Sequence, residues 1–140
     1  MISKENIRVQ ASASDWKDAV RQAGELLISA GSSTQEYTEA MIAAVEELGP
    51  YIVILPGLAI AHAASGTGVL KNDCALITLK DGVMFGSPKD PVFIILCLCC
   101  TDTKSHQDTL KNIAKQMLNE TVLGGIRAAA SVDEVLSCLT

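Results

Sequence analysis

Residues 91–100 read Pro-Val-Phe-Ile-Ile-Leu-Cys-Leu-Cys-Cys, the longest apolar run in the chain. It is too short to cross a bilayer, which takes about 20 apolar residues in a helix. Nor does it alternate apolar with polar residues, as a strand with one wet face would. The stretch from Val92 to Cys100 therefore predicts a central strand covered on both faces, and hence a sheet flanked by helices.

The rest of the chain supplies those elements. A first helix is expected from Ala13, capped by Ser14, with Asp15 in its first turn. Its apolar face carries Trp16, Ala19, Val20, Ala23, Leu26 and Leu27, and Gly31 ends it. A second helix begins at Ser32-Ser33-Thr34, sets Tyr37, Met41, Ile42, Val45 and Leu48 on one face, and stops at Gly49-Pro50. The two make an amphipathic pair for one side of the sheet. Tyr51–Leu55, between Gly49-Pro50 and Pro56-Gly57, is a short buried strand, and Leu58-Ala59-Ile60 resumes extension. Cys74–Leu79 is a further strand. Lys80-Asp81-Gly82-Val83 carries an Asp-Gly turn signal, with Val83-Met84-Phe85 as a short return strand and Gly86–Asp90 as a loop.

After the central strand, the polar junction Thr101–His106 opens a helix with Leu110, Ile113, Ala114 and Met117 at helical spacing, stopped by Asn119. Glu120–Ala128 forms another short helix, weakened by Gly124-Gly125. Ser131-Val132-Asp133-Glu134 resembles a capping box for a terminal helix through Leu136 and Leu139. No long linker, repeat or low-complexity segment divides the chain. One domain is expected over residues 1–140: a helical pair at about 13–48, a sheet and site region at about 51–106, and C-terminal helices at about 104–139. The expected class is α/β, a single-domain sandwich with a mixed sheet.

Composition narrows the partners. With 49% hydrophobic and 19% charged residues the chain is an ordinary globular protein. A net charge of −5 argues against nucleic acid, which needs a basic surface, and favours a basic protein partner. Met1-Ile2-Ser3-Lys4-Glu5-Asn6 leads into polar residues rather than an apolar core, so no signal peptide and a cytoplasmic location are expected. Of five cysteines, three crowd into Cys97-Leu98-Cys99-Cys100, where alternation turns Cys97 and Cys99 to one face and Cys100 to the other. No Cys-x-x-Cys with histidine partners is present, so buried reduced thiols are expected and no metal site.

Chemistry concentrates in the two histidines. His62 ends the run Leu55-Pro56-Gly57-Leu58-Ala59-Ile60-Ala61 and is followed by small residues through Gly68; His106 lies in the first turn of the helix after the central strand. Strand ends and the helix starts beside them share one rim of an α/β sheet, so neighbouring strands would bring the imidazoles face to face. Unpaired N–H groups at the start of the 104–118 helix suit an anion, and a neutral imidazole is nucleophilic near pH 7 through one nitrogen. Ser65 and Thr67, around Gly66, are candidate contacts to a phosphoryl group. The bland readings stand beside this: a histidine among alanines as a satisfied core residue, and His106 as a solvated residue of a capping turn. No P-loop, Gly-x-Ser-x-Gly or His-Glu-x-x-His motif is present.

The run Pro56-Gly57-Leu58-Ala59-Ile60-Ala61-His62-Ala63 resembles the phosphohistidine motif of mannitol/fructose-type enzyme IIA domains of the sugar phosphotransferase system. Gly68-Val69-Leu70, Leu76-Ile77-Thr78-Leu79, Val83-Met84-Phe85-Gly86, Asp90-Pro91-Val92 and Ser105-His106 with Leu110, Ile113 and Ala114 fit as well. Met41-Ile42-Ala43-Ala44-Val45-Glu46-Glu47-Leu48-Gly49-Pro50-Tyr51 looks most like the ascorbate-type branch, and the likeness runs from Trp16 to Leu139. It implies an α/β sandwich and a phosphoryl relay. His62 matches the acceptor of a phosphoryl group from the histidine-containing phosphocarrier protein, passed on to an enzyme IIB. His106 matches the histidine that stabilises the transferred group. No cofactor is implied, the membrane permease enzyme IIC is reached indirectly, and a homo-oligomer stays open. The pattern departs from the family at Ala61, where proline is common, at Ala64-Ser65, where the ascorbate branch has an arginine-proline pair, and at Val45-Glu46-Glu47, which lacks the arginine of mannitol-type members. Those departures motivate an alternative: a regulatory or binding protein on the same fold that passes no phosphoryl group to a transporter.

Overall fold

The computed structural model describes residues 2–139. β1 (Ile7–Ala11) precedes α1 (Trp16–Ser29) and α2 (Gln35–Leu48). There follow β2 (Val53–Leu55), β3 (Leu58–Ala61), β4 (Asp73–Val83), β5 (Val92–Cys99), α3 (Thr103–Met117), α4 (Glu120–Ala128) and α5 (Val132–Leu139). The strands form one sheet in the order β1-β4-β5-β3-β2. β1 runs parallel to β4 and β3 parallel to β5, while β4/β5 and β2/β3 are antiparallel, so the sheet is mixed.

β5 lies in the middle, as its unbroken apolar sequence requires. Alternation divides its side chains between two cores. Ile95, Cys97 and Cys99 face Ala19, Val20, Ala23 and Leu27 of α1 and Tyr37, Met41 and Val45 of α2. Ile94 and Leu96 face Met117 of α3, Ile126 of α4 and Val135 and Leu139 of α5. The two layers of helix follow from one strand having no polar side to give to water.

Several elements differ from the expectation in detail. Asp15, rather than Ser14, caps α1, its carboxylate accepting from the Asp18 N–H at 2.8 Å. Asn119 does not so much stop α3 as start α4, accepting from the N–H groups of Thr121 and Val122. Ser131 accepts from the Glu134 N–H, but the Glu134 carboxylate reaches back to Ala130. The strand expected over Tyr51–Leu55 is shorter, and the Lys80–Val83 turn is absent: β4 runs straight through it as one strand. Gly82 is there for close approach, since a Cβ would meet Pro91 at 2.8 Å and Phe93 at 3.0 Å, and the ladder with β5 shifts register between Thr78 and Val83. The chain turns instead at 84–91, where Asp90 accepts from the N–H groups of Phe85, Gly86 and Ser87. β1 was not expected from the sequence.

Because β3 and β5 are parallel neighbours, with Ala61 opposite Cys97, their carboxyl ends open at one rim. The segment after β3 is pinned across that rim. The Gly66 N–H donates to the Cys100 carbonyl, Ser33 bridges to Val69, and Thr34 Oγ1 donates to the Gly68 carbonyl at 2.9 Å. Gly68 has φ +76°, and a Cβ there would lie 2.8 Å from Thr34 Oγ1 and 2.9 Å from the Tyr37 nitrogen. Only glycine lets the loop lie this close to the start of α2.

Candidate active site

His62 follows β3 directly, and its ring is half-buried. Nδ1 lies 2.8 Å from the carbonyl oxygen of Ile60, two residues earlier. A carbonyl can only accept, so Nδ1 carries the proton and Nε2 is left with the lone pair. Tyr51 stands edge-on to this imidazole, with ring centres 5.5 Å apart and planes at 88°. Its hydroxyl donates to the His62 carbonyl at 3.3 Å.

His106 arrives from the other strand. Asp102 caps α3, its Oδ1 accepting from the Ser105 N–H at 2.8 Å and its Oδ2 from the Ser105 hydroxyl at 2.9 Å. These bonds, the backbone one first, hold the Asp102 carboxyl below its usual range. His106 follows one residue later, and its N–H donates to the Asp102 carbonyl at 3.1 Å. The His62 and His106 ring centres are 5.1 Å apart, their planes inclined at 55°. His106 Nδ1 is buried without a hydrogen-bond partner among the described residues. Burial, and then the neighbouring His62, lower the His106 pKa and favour its neutral form.

The expected donors at the start of α3 are therefore less free than the sequence implied, since Asp102 already occupies the Ser105 N–H. Ser65 does reach this rim, with its hydroxyl 3.3 Å from that of Thr103, the first residue of α3. Thr67 is exposed further along the loop, and no hydrogen bond ties it to the imidazole pair among the described residues.

Beside His62 opens an apolar groove of about 490 Å³ lined by Tyr51, Ile54, Leu55, His62, Leu110, Ala114 and Leu118. Leu118 is 66% exposed and Tyr51 40%. An apolar hollow next to an imidazole with a free lone pair, with large side chains left in water, has the character of a protein-docking surface.

Tyr37, which the sequence pattern places only on the apolar face of α2, also reaches the site from beneath. Its ring is fully buried, and a buried phenol needs partners. The hydroxyl donates to the Leu98 carbonyl of β5 at 2.5 Å and accepts from the Ala63 N–H at 3.1 Å. Burial pushes its pKa well above the ordinary phenol value, so the hydroxyl keeps its proton.

All five thiols are free, with Cys138 half-buried and the others buried. Burial pushes Cys74 and Cys99 up to about 12, which keeps them from acting as thiolates near neutral pH. Among the described residues no group of three or more His, Cys, Asp or Glu side chains is placed to hold a metal ion, and no helix is long and apolar enough to cross a membrane.

The sequence model of a family described as "Phosphoenolpyruvate-dependent sugar phosphotransferase system, EIIA 2" matches residues 1–140. An ascorbate-specific PTS system EIIA component of Shigella boydii is 35% identical over 141 aligned residues, which take in 99% of this chain and 92% of that protein. The crystal structure of IIA mannitol from Escherichia coli superposes with a TM-score of 0.88 at 26% identity, covering 100% of this chain and 99% of that one. The enzyme IIA of the complex with phosphorylated enzyme IIB for mannitol, also from Escherichia coli, gives 0.86 at 26% identity, covering 99% and 96%.

Proposed function

Since the chain belongs to the EIIA 2 family of the phosphoenolpyruvate-dependent sugar phosphotransferase system, we propose that His62 is its phosphoryl acceptor and that Nε2 is the atom that takes the group. The hydrogen bond from His62 Nδ1 to the Ile60 carbonyl carries this reading, because it leaves Nε2 as the nucleophile. The Nε2 lone pair attacks phosphorus as the bond from phosphorus to the donor's nitrogen breaks, and the bonding pair returns to the donor imidazole. Positive charge growing on the His62 ring is met by the Ile60 carbonyl, which already accepts the Nδ1 proton.

His106 supports the transferred group, its ring centre standing 5.1 Å from that of His62. Its buried Nδ1 has no hydrogen-bond partner among the described residues, so turning this ring to direct an N–H at a phosphoryl oxygen breaks no bond at Nδ1. Ser65 adds a hydroxyl at the same rim, whereas Thr67 makes the weaker claim.

The donor is the histidine-containing phosphocarrier protein and the recipient an enzyme IIB, each docking in turn on the apolar groove beside His62. The permease enzyme IIC is reached through that IIB. The likeness to ascorbate-specific components supports an ascorbate-type sugar acid as the transported substrate. Residues 1–140 act as one enzyme IIA unit in the cytoplasm, where such carriers meet. The test is a reconstituted relay: phosphocarrier-dependent label enters this protein and leaves it on addition of the cognate IIB. Label that enters and never leaves would contradict a transport role and favour a regulatory one.

A further inference from the structure

The chain has two tyrosines, and both end on the same peptide unit. Tyr51 Oη donates to the carbonyl oxygen of His62, and Tyr37 Oη accepts from the N–H of Ala63. These are the two polar ends of the single peptide that joins His62 to Ala63. Tyr37 is in turn anchored to the Leu98 carbonyl at the end of β5, and Tyr51 lays its ring edge-on to the imidazole. One hydroxyl comes from the buried face of α2, the other from just before β2.

We propose that Tyr37 and Tyr51 are positioning residues that clamp the His62–Ala63 peptide from both ends and so aim His62 Nε2 at the incoming phosphorus. A planar peptide held by its carbonyl and its N–H cannot rotate, and the ψ of His62 is fixed with it. Ala61 completes the restraint from the other side, because it is paired with Cys97 in the ladder. The backbone on either side of the acceptor is thus held without proline at position 61. An in-line displacement is sensitive to such aim, since a misplacement of about 1 Å costs on the order of a hundredfold. Tyr37 is fully buried, out of reach of a docking partner, so its effect is expected in the chemical step rather than in binding.

The inference rests on His62 as the acceptor. Its test is the single-turnover rate of phosphorylation by saturating phosphorylated phosphocarrier protein, measured for the full chain and for Tyr37→Phe, Tyr51→Phe and the double variant. Amide and imidazole NMR spectra of the unphosphorylated proteins accompany the rates. Tyr37→Phe is expected to slow the step about tenfold with the KM for the phosphocarrier unchanged. Both variants are expected to shift the Ala63 amide and the His62 Nδ1–H resonances. A purely structural role would lower Tm while leaving the rate per folded molecule and the imidazole signal where they were. Because both hydroxyls hold one peptide, the double variant is expected to fall short of the product of the single effects. Should Tyr37→Phe fail to fold, Tyr51→Phe decides alone, since it removes only a partly exposed hydroxyl. Labelling at the wild-type rate in the folded variants, with the Ala63 amide unmoved, overturns the clamp. A wild type that takes no label on His62 overturns the acceptor reading and the clamp with it.

Discussion

His62 and His106 stand with ring centres 5.1 Å apart because two parallel strands, β3 and β5, end side by side and the chain leaves each of them through a histidine-bearing segment. Neither imidazole makes a hydrogen bond to the other. His62 is tied to its own strand through Nδ1, and His106 Nδ1 has no partner among the described residues. A phosphoryl group carried on His62 Nε2 would bring anionic acceptors to the His106 ring, whose Nδ1 is the atom left unsatisfied.

That arrangement has a pH signature. The folded His106 titrates below its ordinary value, chiefly through burial and next through His62. Below about pH 6.5 the unfolded chain therefore takes up a proton that the folded one resists. The contribution to stability is complete above the unfolded value and is lost as pH falls towards the folded one. We expect the decline of Tm between pH 7 and pH 5 to be shallower in His106→Gln. A phosphoryl dianion on His62 reverses the bias, so the His106 titration followed by NMR should move upward on phosphorylation. A midpoint that stays put would separate His106 from the transferred group.

Leu118 offers a test of docking that leaves the core alone. It closes α3, lines the groove beside His62 and is largely in water, so its truncation costs the isolated fold little. In a complex it would be buried, and removing most of its side chain forfeits about 1–2 kcal/mol. Leu118→Ala should raise the KM for the phosphocarrier about tenfold and leave the rate at saturation unchanged. An unaltered KM would place the docking face elsewhere.

Much of the site was legible in the sequence, for reasons that differ by element. The run at 92–100 could only be a central strand, and the two histidines could be assigned to one rim once their strands were neighbours. β1 is a weak signal, since Ile7-Arg8-Val9-Gln10-Ala11 alternates over only five residues. The ladder shifts register between Arg8 and Ala11, where Gln10 has φ +54°, so Ile7 and Ala11 enter opposite cores, which no period-two pattern expresses. Asp81-Gly82 was misleading because its glycine answers to Pro91 and Phe93 across the ladder, a long-range constraint that a local turn signal cannot express. The tyrosines were visible as residues of α2 and of the approach to β2. Their shared peptide depends on tertiary contacts between segments 26 and 11 residues apart in sequence.

Gly68 tests whether the loop behind His62 is built into the site. Its positive φ and its approach to Thr34 and Tyr37 leave no room for a methyl group. Gly68→Ala should cost about 1–3 kcal/mol of stability from backbone strain, read as a lower Tm. It should also slow phosphorylation, because the displaced neighbour is the helix turn that carries Tyr37. A stable, fully active Gly68→Ala would detach the loop from the acceptor's geometry.

The most direct measurement is to locate the phosphoryl group by 15N and 31P NMR after labelling with phosphorylated phosphocarrier protein. The expected adduct is on Nε2 of His62, stable to base and labile to acid, and absent from His62→Ala. A phosphoryl group on His62 Nδ1 or on His106, or full labelling of His62→Ala, would contradict the assignment.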